Sequence, residues 1–121
     1  MTILVVEDEP LIRLGLVSLV EEAGFTTVEA GHADAAIKIL EANPDIRVVI
    51  TDVDMPGSMD GIKLAHFVRD RWPPIKIIVI SGKVGVKPSE LPEGSRFFAK
   101  PAQEAPLVAA LREMIQAEGQ P

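Results

Sequence analysis

Short runs of branched apolar residues alternate with longer polar or amphipathic segments along the chain. Five of these runs have the composition and length of buried strands, at residues 2–6, 26–30, 47–51, 76–80 and 95–99. Strands that alternate with helices usually form a parallel sheet covered on both faces. The pattern therefore predicts an α/β fold.

The segments that follow the strands predict helices at residues 10–23, 33–42, 61–71 and 103–116. Pro10 suits a first helical turn, and Gly24 suits a position just past a helix end. A further helix would be expected at 82–94, but that segment contains three glycines and two prolines. We therefore predict at most one helical turn there, near residues 89–91.

The first predicted helix has more apolar surface than one face of a sheet can cover. At about 100° per residue, one side carries Ile12, Leu16, Leu19 and Ala23. The other side carries Leu11, Leu14 and Val17. Two readings of this second set stay open: aliphatic side chains tolerated at the surface, or a docking surface for a partner helix.

Polar residues stand at or just after the ends of four predicted strands: Glu7 and Asp8, then Asp52, Ser81 and Lys100. Carboxyl ends of parallel strands share one edge of the sheet, where open α/β sheets bind ligands. Three carboxylates crowded there repel one another unless a divalent cation and a lysine offset their charge. An aspartate beside a metal is poised to accept a phosphoryl group, so the pattern predicts a phosphorylation switch.

Each of these residues suits one part of phosphoryl transfer. Asp52 is the predicted nucleophile. The cofactor is Mg²⁺, or Mn²⁺ in its place, with Asp8 as direct ligand and Glu7 acting directly or through water. Ser81 offers a hydroxyl donor to the phosphoryl oxygens, and Lys100 offers a point charge. Mg²⁺ and Lys100 are expected to keep Asp52 ionised by lowering its pKa.

Composition narrows the range of functions. The net charge of −6 argues against binding to nucleic acid, whose phosphates would be repelled. The chain has no cysteine, which excludes disulfides and thiolate chemistry. Its apolar runs are far shorter than the roughly 20 residues that span a bilayer, and no basic leader precedes the first run. We expect one cytoplasmic domain over residues 1–121, with no membrane partner.

Taken together, these residues resemble the receiver domains of bacterial two-component response regulators. The matching stretches are LVVEDEP, VVITDVDMPGSMDG, IIVISG and FFAKP. The resemblance covers essentially the whole chain and implies a flavodoxin-like, doubly wound five-stranded sheet of order 2-1-3-4-5. It also implies Mg²⁺-dependent phosphoryl uptake from a histidine kinase or histidine phosphotransfer protein, slow autodephosphorylation, and signalling to a downstream protein whose identity the sequence leaves open.

The resemblance assigns further roles. It makes the backbone carbonyl of Asp54 a metal ligand and makes Phe97 an aromatic switch that changes rotamer with Ser81. It also makes Asp54 and Lys83 positions that tune phosphoryl lifetime, and we add Pro101 to the predicted docking surface. Simpler readings remain: Phe97 and Phe98 as core aromatics, Asp54 and Lys83 as solvated loop charges, and His32 and His66 as surface residues. Relatives carry a regular fourth helix, which is expected to be short or irregular here.

Three other functions compete with this one. The tripeptide Asp52-Val53-Asp54 resembles the nucleophile motif of haloacid dehalogenase phosphohydrolases, but Pro56 stands where that motif has Thr or Val. A flavin carrier would need a phosphate-binding loop where Glu7-Asp8-Glu9 would repel phosphate. A receiver that binds its partner without phosphorylation would keep that binding after Asp52→Asn.

Overall fold

The computed structural model of the chain describes residues 1–57, 59–82 and 85–119, with side chains as far as residue 116. Five parallel strands form one sheet in the order β2-β1-β3-β4-β5. The strands are β1 (Thr2–Val6), β2 (Thr26–Ala30), β3 (Ile46–Asp52), β4 (Lys76–Ser81) and β5 (Arg96–Ala99). This confirms the predicted fold class and strand order.

The helices are α1 (Pro10–Glu22), α2 (Ala33–Ala42), α3 (Gly61–Arg71) and α4 (Glu104–Gly119). Two side chains fix helix starts: His32 Nδ1 accepts from the Ala35 N–H at 3.2 Å, and Asp60 Oδ1 accepts from the Lys63 N–H at 2.9 Å. Gly24, with φ of 100°, follows the end of α1 as predicted. None of these helices, as far as they are described, is long and apolar enough to cross a membrane.

The core lies in two layers, one on each face of the sheet. Helices α2 and α3 cover one face, where Leu40, Leu64 and Val68 pack on side chains of β1, β3 and β4. Helices α1 and α4 cover the other face, where Val20, Leu107 and Leu111 do the same. Both faces of β1, β3 and β4 are buried, so these strands are apolar at almost every position.

Helix α1 is rotated relative to the sequence prediction. It buries Leu16, Val17 and Val20 against the sheet, so Val17 belongs to the core and not to an outer docking surface. Ile12, predicted to face the core, is 42% exposed. Positions 16, 17 and 20 also form one helical face, and an apolar stripe on both sides leaves the choice of face to tertiary packing. The exposed aliphatic set is therefore Leu11, Ile12 and Leu14.

The described part of the connection between β4 and β5, which leaves out residues 83 and 84, contains one short helical turn, Pro88–Glu90, of the 3-10 type. This agrees with the predicted irregular segment. Leu91 anchors it by packing into the core on the α3 side, and His66 Nε2 of α3 lies 2.7 Å from the Glu90 carbonyl oxygen. Without a full helix here, Phe97 on the edge strand β5 is 39% exposed. Lys83 lies outside the described residues.

Candidate functional site

The sheet brings Glu7, Asp52, Ser81 and Lys100 to one edge, as the order of strand ends predicts. Backbone hydrogen bonds extend the strand pairing at this edge. The Glu7 N–H donates to the Ala30 carbonyl at 3.0 Å, and the Lys100 N–H donates to the Ser81 carbonyl at 2.9 Å. Glu7, Asp52 and Ser81 are each at most 4% exposed. These polar groups therefore lie at the ends of hydrogen-bonded strands or directly after them.

Lys100 stands between two buried carboxylates. Its Nζ donates to Glu7 Oε1 at 2.8 Å and lies 3.2 Å from Asp52 Oδ1. The lysine side chain is 22% exposed, whereas those of Glu7 and Asp52 are 1% and 4% exposed. One cation thus faces two buried anions, so the site carries uncompensated negative charge.

The acidic groups at this edge fit a hard divalent cation. One carboxylate oxygen from each of Glu7, Asp8 and Asp52 lies within 4.8 Å of the other two. Asp52 Oδ1 is buried and, although Lys100 Nζ lies 3.2 Å away, it accepts no well-aligned hydrogen bond. Such an oxygen still has lone pairs to offer, and carboxylate oxygens are the ligands that Mg²⁺ prefers.

Burial raises the pKa of Asp52 above its usual value of 3.8, and the charge of Glu7 raises it further. The close contact and positive charge of Lys100 and the Asp54 N–H lower this pKa, but they do not outweigh the first two causes. Lys100 thus lowers the pKa of Asp52, as the sequence analysis expects. The pKa of Asp8 is also raised, first by desolvation and then by Glu7.

The neighbouring carboxylates raise the pKa of Lys100. Burial alone would lower the pKa of this ammonium group, but its contacts with Glu7 and Asp52 outweigh burial and raise it above 10.5. The lysine therefore stays charged at every pH at which the carboxylates titrate.

A pH dependence of stability follows from Asp52. Because its pKa is higher in the folded than in the unfolded chain, the folded state binds more protons above about pH 3.8. The free energy of unfolding should therefore fall as pH rises through the folded pKa of Asp52, and the cost should persist at higher pH. Urea titrations of the wild type and Asp52→Asn from pH 4 to 8, without metal, measure the difference.

We expect the variant to gain stability over the wild type as pH rises, because it has no carboxylate to ionise at this position. Asp70→Asn, which removes an exposed acid of α3, serves as the control and should follow the wild type. A constant difference between the wild type and Asp52→Asn across the range would contradict the prediction.

The loop after β3 is tied to the start of α3 by Gly61. Its N–H donates to the Val53 carbonyl at 2.9 Å. A Cβ at position 61 would overlap the carbonyl oxygen of Asp52 and lie 2.6 Å from its carbonyl carbon. Sequence reasoning missed this role, although an Asp-Gly pair at a predicted helix start was the available signal.

Arg13 is a second residue that sequence reasoning missed. Its Nη1 donates to the Glu7 carbonyl at 2.8 Å and its Nε to Glu29 Oε1 at 3.1 Å. The only signal in the sequence was an arginine among aliphatic residues, five positions after Asp8. It lies one turn into α1, the helix that follows Glu7 and Asp8.

The remaining predicted residues lie around the site at different depths. Asp54 is exposed, and its backbone N–H donates to the Asp52 carboxylate. Phe97 is too exposed for a plain core residue, whereas Phe98 is half-buried against the α1 and α4 side of the core. Pro101 lines a groove beside Lys100, together with Ile12, Gly15, Leu16, Leu19, Ile80 and Ala102.

Comparison with known proteins decides the family. A sequence profile of the response regulator receiver domain matches residues 3–112. The chain belongs to this family. The receiver domain is 32% identical over 116 residues to the response regulator receiver protein CpdR of Brucella abortus, covering 93% of this chain and 95% of CpdR. It is also 34% identical over 119 residues to the sensor kinase CckA of the same organism, covering 95% of this chain.

Solved structures agree with this family assignment. A response regulator receiver protein from Sinorhizobium medicae superposes with a TM-score of 0.89 at 28% identity, covering 98% of this receiver domain and 96% of that chain. The receiver domain of the hybrid histidine kinase CckA gives a TM-score of 0.75 at 30% identity, covering 99% and 100% of the two chains.

Relatives of the receiver domain differ in length. The domain spans 12% of CckA and 17% of a Rickettsia bellii response regulator similar to NtrX, but nearly all of CpdR. Membership of the receiver family argues against the phosphohydrolase and the flavin carrier.

Proposed function

We propose that this receiver domain is a phosphorylation switch in which Asp52 accepts a phosphoryl group in the presence of Mg²⁺. The observation that carries the proposal is the arrangement of Asp52 Oδ1, buried, 3.2 Å from Lys100 Nζ and beside Glu7 and Asp8. A nucleophilic carboxylate, a lysine and an acidic cluster at one sheet edge are the parts that phosphoryl transfer to aspartate needs.

In the proposed step, a carboxylate oxygen of Asp52 forms a bond to phosphorus. The bond between phosphorus and the donor atom breaks, and its electron pair leaves with the donor. Lys100, now shared by Glu7 and Asp52, turns its charge to a phosphoryl oxygen. The Ser81 hydroxyl donates to another oxygen, and the backbone at Gly82 leaves room for an N–H to approach.

The residues that would hold the metal are Asp8, Asp52 and the carbonyl of Asp54. Both oxygens of Glu7 are already engaged, Oε1 by Lys100 and Oε2 by the Glu9 N–H at 3.1 Å. This supports a role for Glu7 through water. The bound Mg²⁺, or Mn²⁺, supplies positive charge that offsets the carboxylates and the transferring phosphoryl oxygens.

The conformational change would be transmitted from Ser81 to Phe97. When the phosphoryl group draws the Ser81 hydroxyl inward, space opens beneath the following loop, and Phe97 turns from its exposed position to fill it. The exposure of Phe97 supports this proposal, because the ring does not already occupy the buried space that it would fill. Asp54 and Lys83 remain predicted sites for tuning phosphoryl lifetime.

The proposed phosphodonor is a histidine kinase or a histidine phosphotransfer protein. It would dock on the exposed side chains of Leu11 and Leu14, which are 78% and 60% exposed, and on the groove beside Pro101. The groove includes Lys100 of the site, and the two leucines lie in the first turns of α1, the helix that follows Glu7 and Asp8. The downstream protein that reads the switch is proposed to bind a surface that changes with Phe97.

The experiment that tests the proposal is phosphorylation by acetyl phosphate with intact-mass detection. We expect one phosphoryl adduct in the presence of Mg²⁺ and none with a chelator. Asp52→Ala should abolish the adduct, whereas Asp70→Asn, which removes an exposed acid of α3, should keep it.

Two results would contradict the proposal. An adduct that persists in Asp52→Ala would place the phosphoryl group elsewhere. Mg²⁺ binding without any adduct, from acetyl phosphate or from a phosphorylated histidine phosphotransfer protein, would favour a module that binds its partner independently of phosphorylation.

A further inference from the structure

Both backbone polar groups of Glu7 are held by groups outside the proposed catalytic set. Its N–H donates to the Ala30 carbonyl of β2 at 3.0 Å, and its carbonyl accepts from Arg13 Nη1 of α1 at 2.8 Å. The Glu7 side chain is then held by Lys100 and by the Glu9 N–H. The direction in which the chain leaves β1 and enters Asp8 is therefore fixed by β2 and α1.

Arg13 is itself held in place on two further sides. Its Nε donates to Glu29 Oε1 of β2 at 3.1 Å, which leaves Nη1 for the Glu7 carbonyl. A Cβ at Gly31 would come within 3.3 Å of Nη1, so the guanidinium group uses the space that this glycine leaves. A planar guanidinium can bond two acceptors in a fixed geometry, which a single ammonium group does not reproduce.

The contribution of this ion pair to stability is small. The side chains of Arg13 and Glu29 are 25% and 50% exposed, and solvent screens exposed ion pairs of this kind, so they add little to stability. Its geometric effect is larger, because it fixes the peptide that joins the two acidic residues of the proposed metal site.

We propose that Arg13 is a positioning residue. Held by Glu29, it fixes the peptide between Glu7 and Asp8 and thereby sets the Mg²⁺ affinity of the proposed metal site. This inference rests on the proposed function, since it concerns the same metal site. Groups that orient metal ligands without touching the metal change its affinity by roughly 10- to 100-fold when they are removed.

Positioning and simple electrostatics predict opposite signs. Arg13 carries a positive charge near the acidic cluster, so its removal by electrostatics alone would strengthen the binding of a cation. If Arg13 acts by positioning, its removal weakens binding. The sign of the change in Mg²⁺ affinity therefore separates the two roles.

The test measures Mg²⁺ binding to the whole receiver domain by isothermal titration calorimetry, without any phosphodonor. We expect Arg13→Met to bind Mg²⁺ about tenfold more weakly than the wild type. Arg13→Lys keeps the charge but not the fork, and we expect it to bind several-fold more weakly too. The Mg²⁺ concentration that gives half-maximal phosphorylation should rise in parallel, while the rate at saturating Mg²⁺ stays near that of the wild type.

Gly31→Ala is the second variant, because it displaces the guanidinium group without changing any charge. We expect a smaller loss of Mg²⁺ affinity, about threefold. Arg112→Met is the matched control: Arg112 Nη2 also donates to a backbone carbonyl, that of Ala23 at 3.2 Å, but at the α4 side of the molecule. Its Mg²⁺ affinity should equal that of the wild type.

Unchanged or tighter Mg²⁺ binding in Arg13→Met and Gly31→Ala would overturn the inference and leave the proposed function intact. If Arg13→Met does not fold, Gly31→Ala and Arg13→Lys decide the question by the same measurement. A wild-type domain that binds no Mg²⁺ and accepts no phosphoryl group would instead refute the proposed function.

Discussion

Gly61→Ala should destabilise the receiver domain more than Gly15→Ala or Gly31→Ala does. The new Cβ would overlap the Asp52 carbonyl oxygen and lie 2.9 Å from the Val53 Cα. Both neighbours are backbone atoms, which cannot rotate away as a side chain can. Overpacking typically costs about 1–3 kcal/mol, and we expect a loss of at least about 3 kcal/mol here. Urea unfolding monitored by Trp72 fluorescence measures it.

Gly15→Ala supplies the matched control for this prediction. Gly15 is an exposed glycine inside α1, and a Cβ there would meet nothing within 4 Å. Alanine favours the helix over glycine by about 0.5–1 kcal/mol, so this variant should be more stable than the wild type. Similar effects of both substitutions would show that the close approach at Gly61 does not constrain the loop that follows Asp52.

Removal of the positive charge of Lys100 should have the second large effect on stability. Lys100→Met keeps most of the side-chain volume but leaves Glu7 and Asp52, at 1% and 4% exposure, without their counter-charge. Breaking a buried ion pair on one side costs roughly 3–5 kcal/mol. We expect about 3 kcal/mol, the lower end of that range, because Lys100 is 22% exposed. Urea unfolding in a chelating buffer measures the loss.

Two additions to this experiment identify the cause of the loss. Mg²⁺ should restore part of the stability of Lys100→Met, since the cation replaces the missing positive charge. The double variant Lys100→Met with Glu7→Gln should also recover stability relative to Lys100→Met, because it removes one of the two unpaired anions. If neither addition restores stability, the effect of Lys100 comes from packing and not from charge.

The chemistry of the site was accessible from the sequence because it depends on strand ends. In a parallel sheet, the carboxyl ends of all strands lie at one edge, so Asp52, Ser81 and Lys100 had to converge once their strands were found. The short, strongly apolar strands made that step secure. The irregular segment 82–94 could also be predicted from the sequence, because glycine and proline at such density do not allow a regular helix.

The rotation of α1 could not be predicted in the same way. Aliphatic side chains on both sides of the helix allow two burial faces, and the sheet buried Val17 while leaving Ile12 outside. The contacts of Arg13 are a second example. They join α1, the end of β1 and Glu29 on β2, so they depend on the packing angle of a helix and not on any local pattern.

The pair of Lys100 and Glu7 joins residues 93 positions apart in the sequence. A chain emerging from the ribosome carries Glu7, Asp8 and Asp52 long before Lys100 is synthesised. During that interval Lys100, which follows β5, cannot reach the Asp52 carboxylate, and the loop that joins the two ends must still close. If Asp52 is phosphorylated as proposed, the growing chain would therefore gain competence for that reaction only when translation has passed the fifth strand.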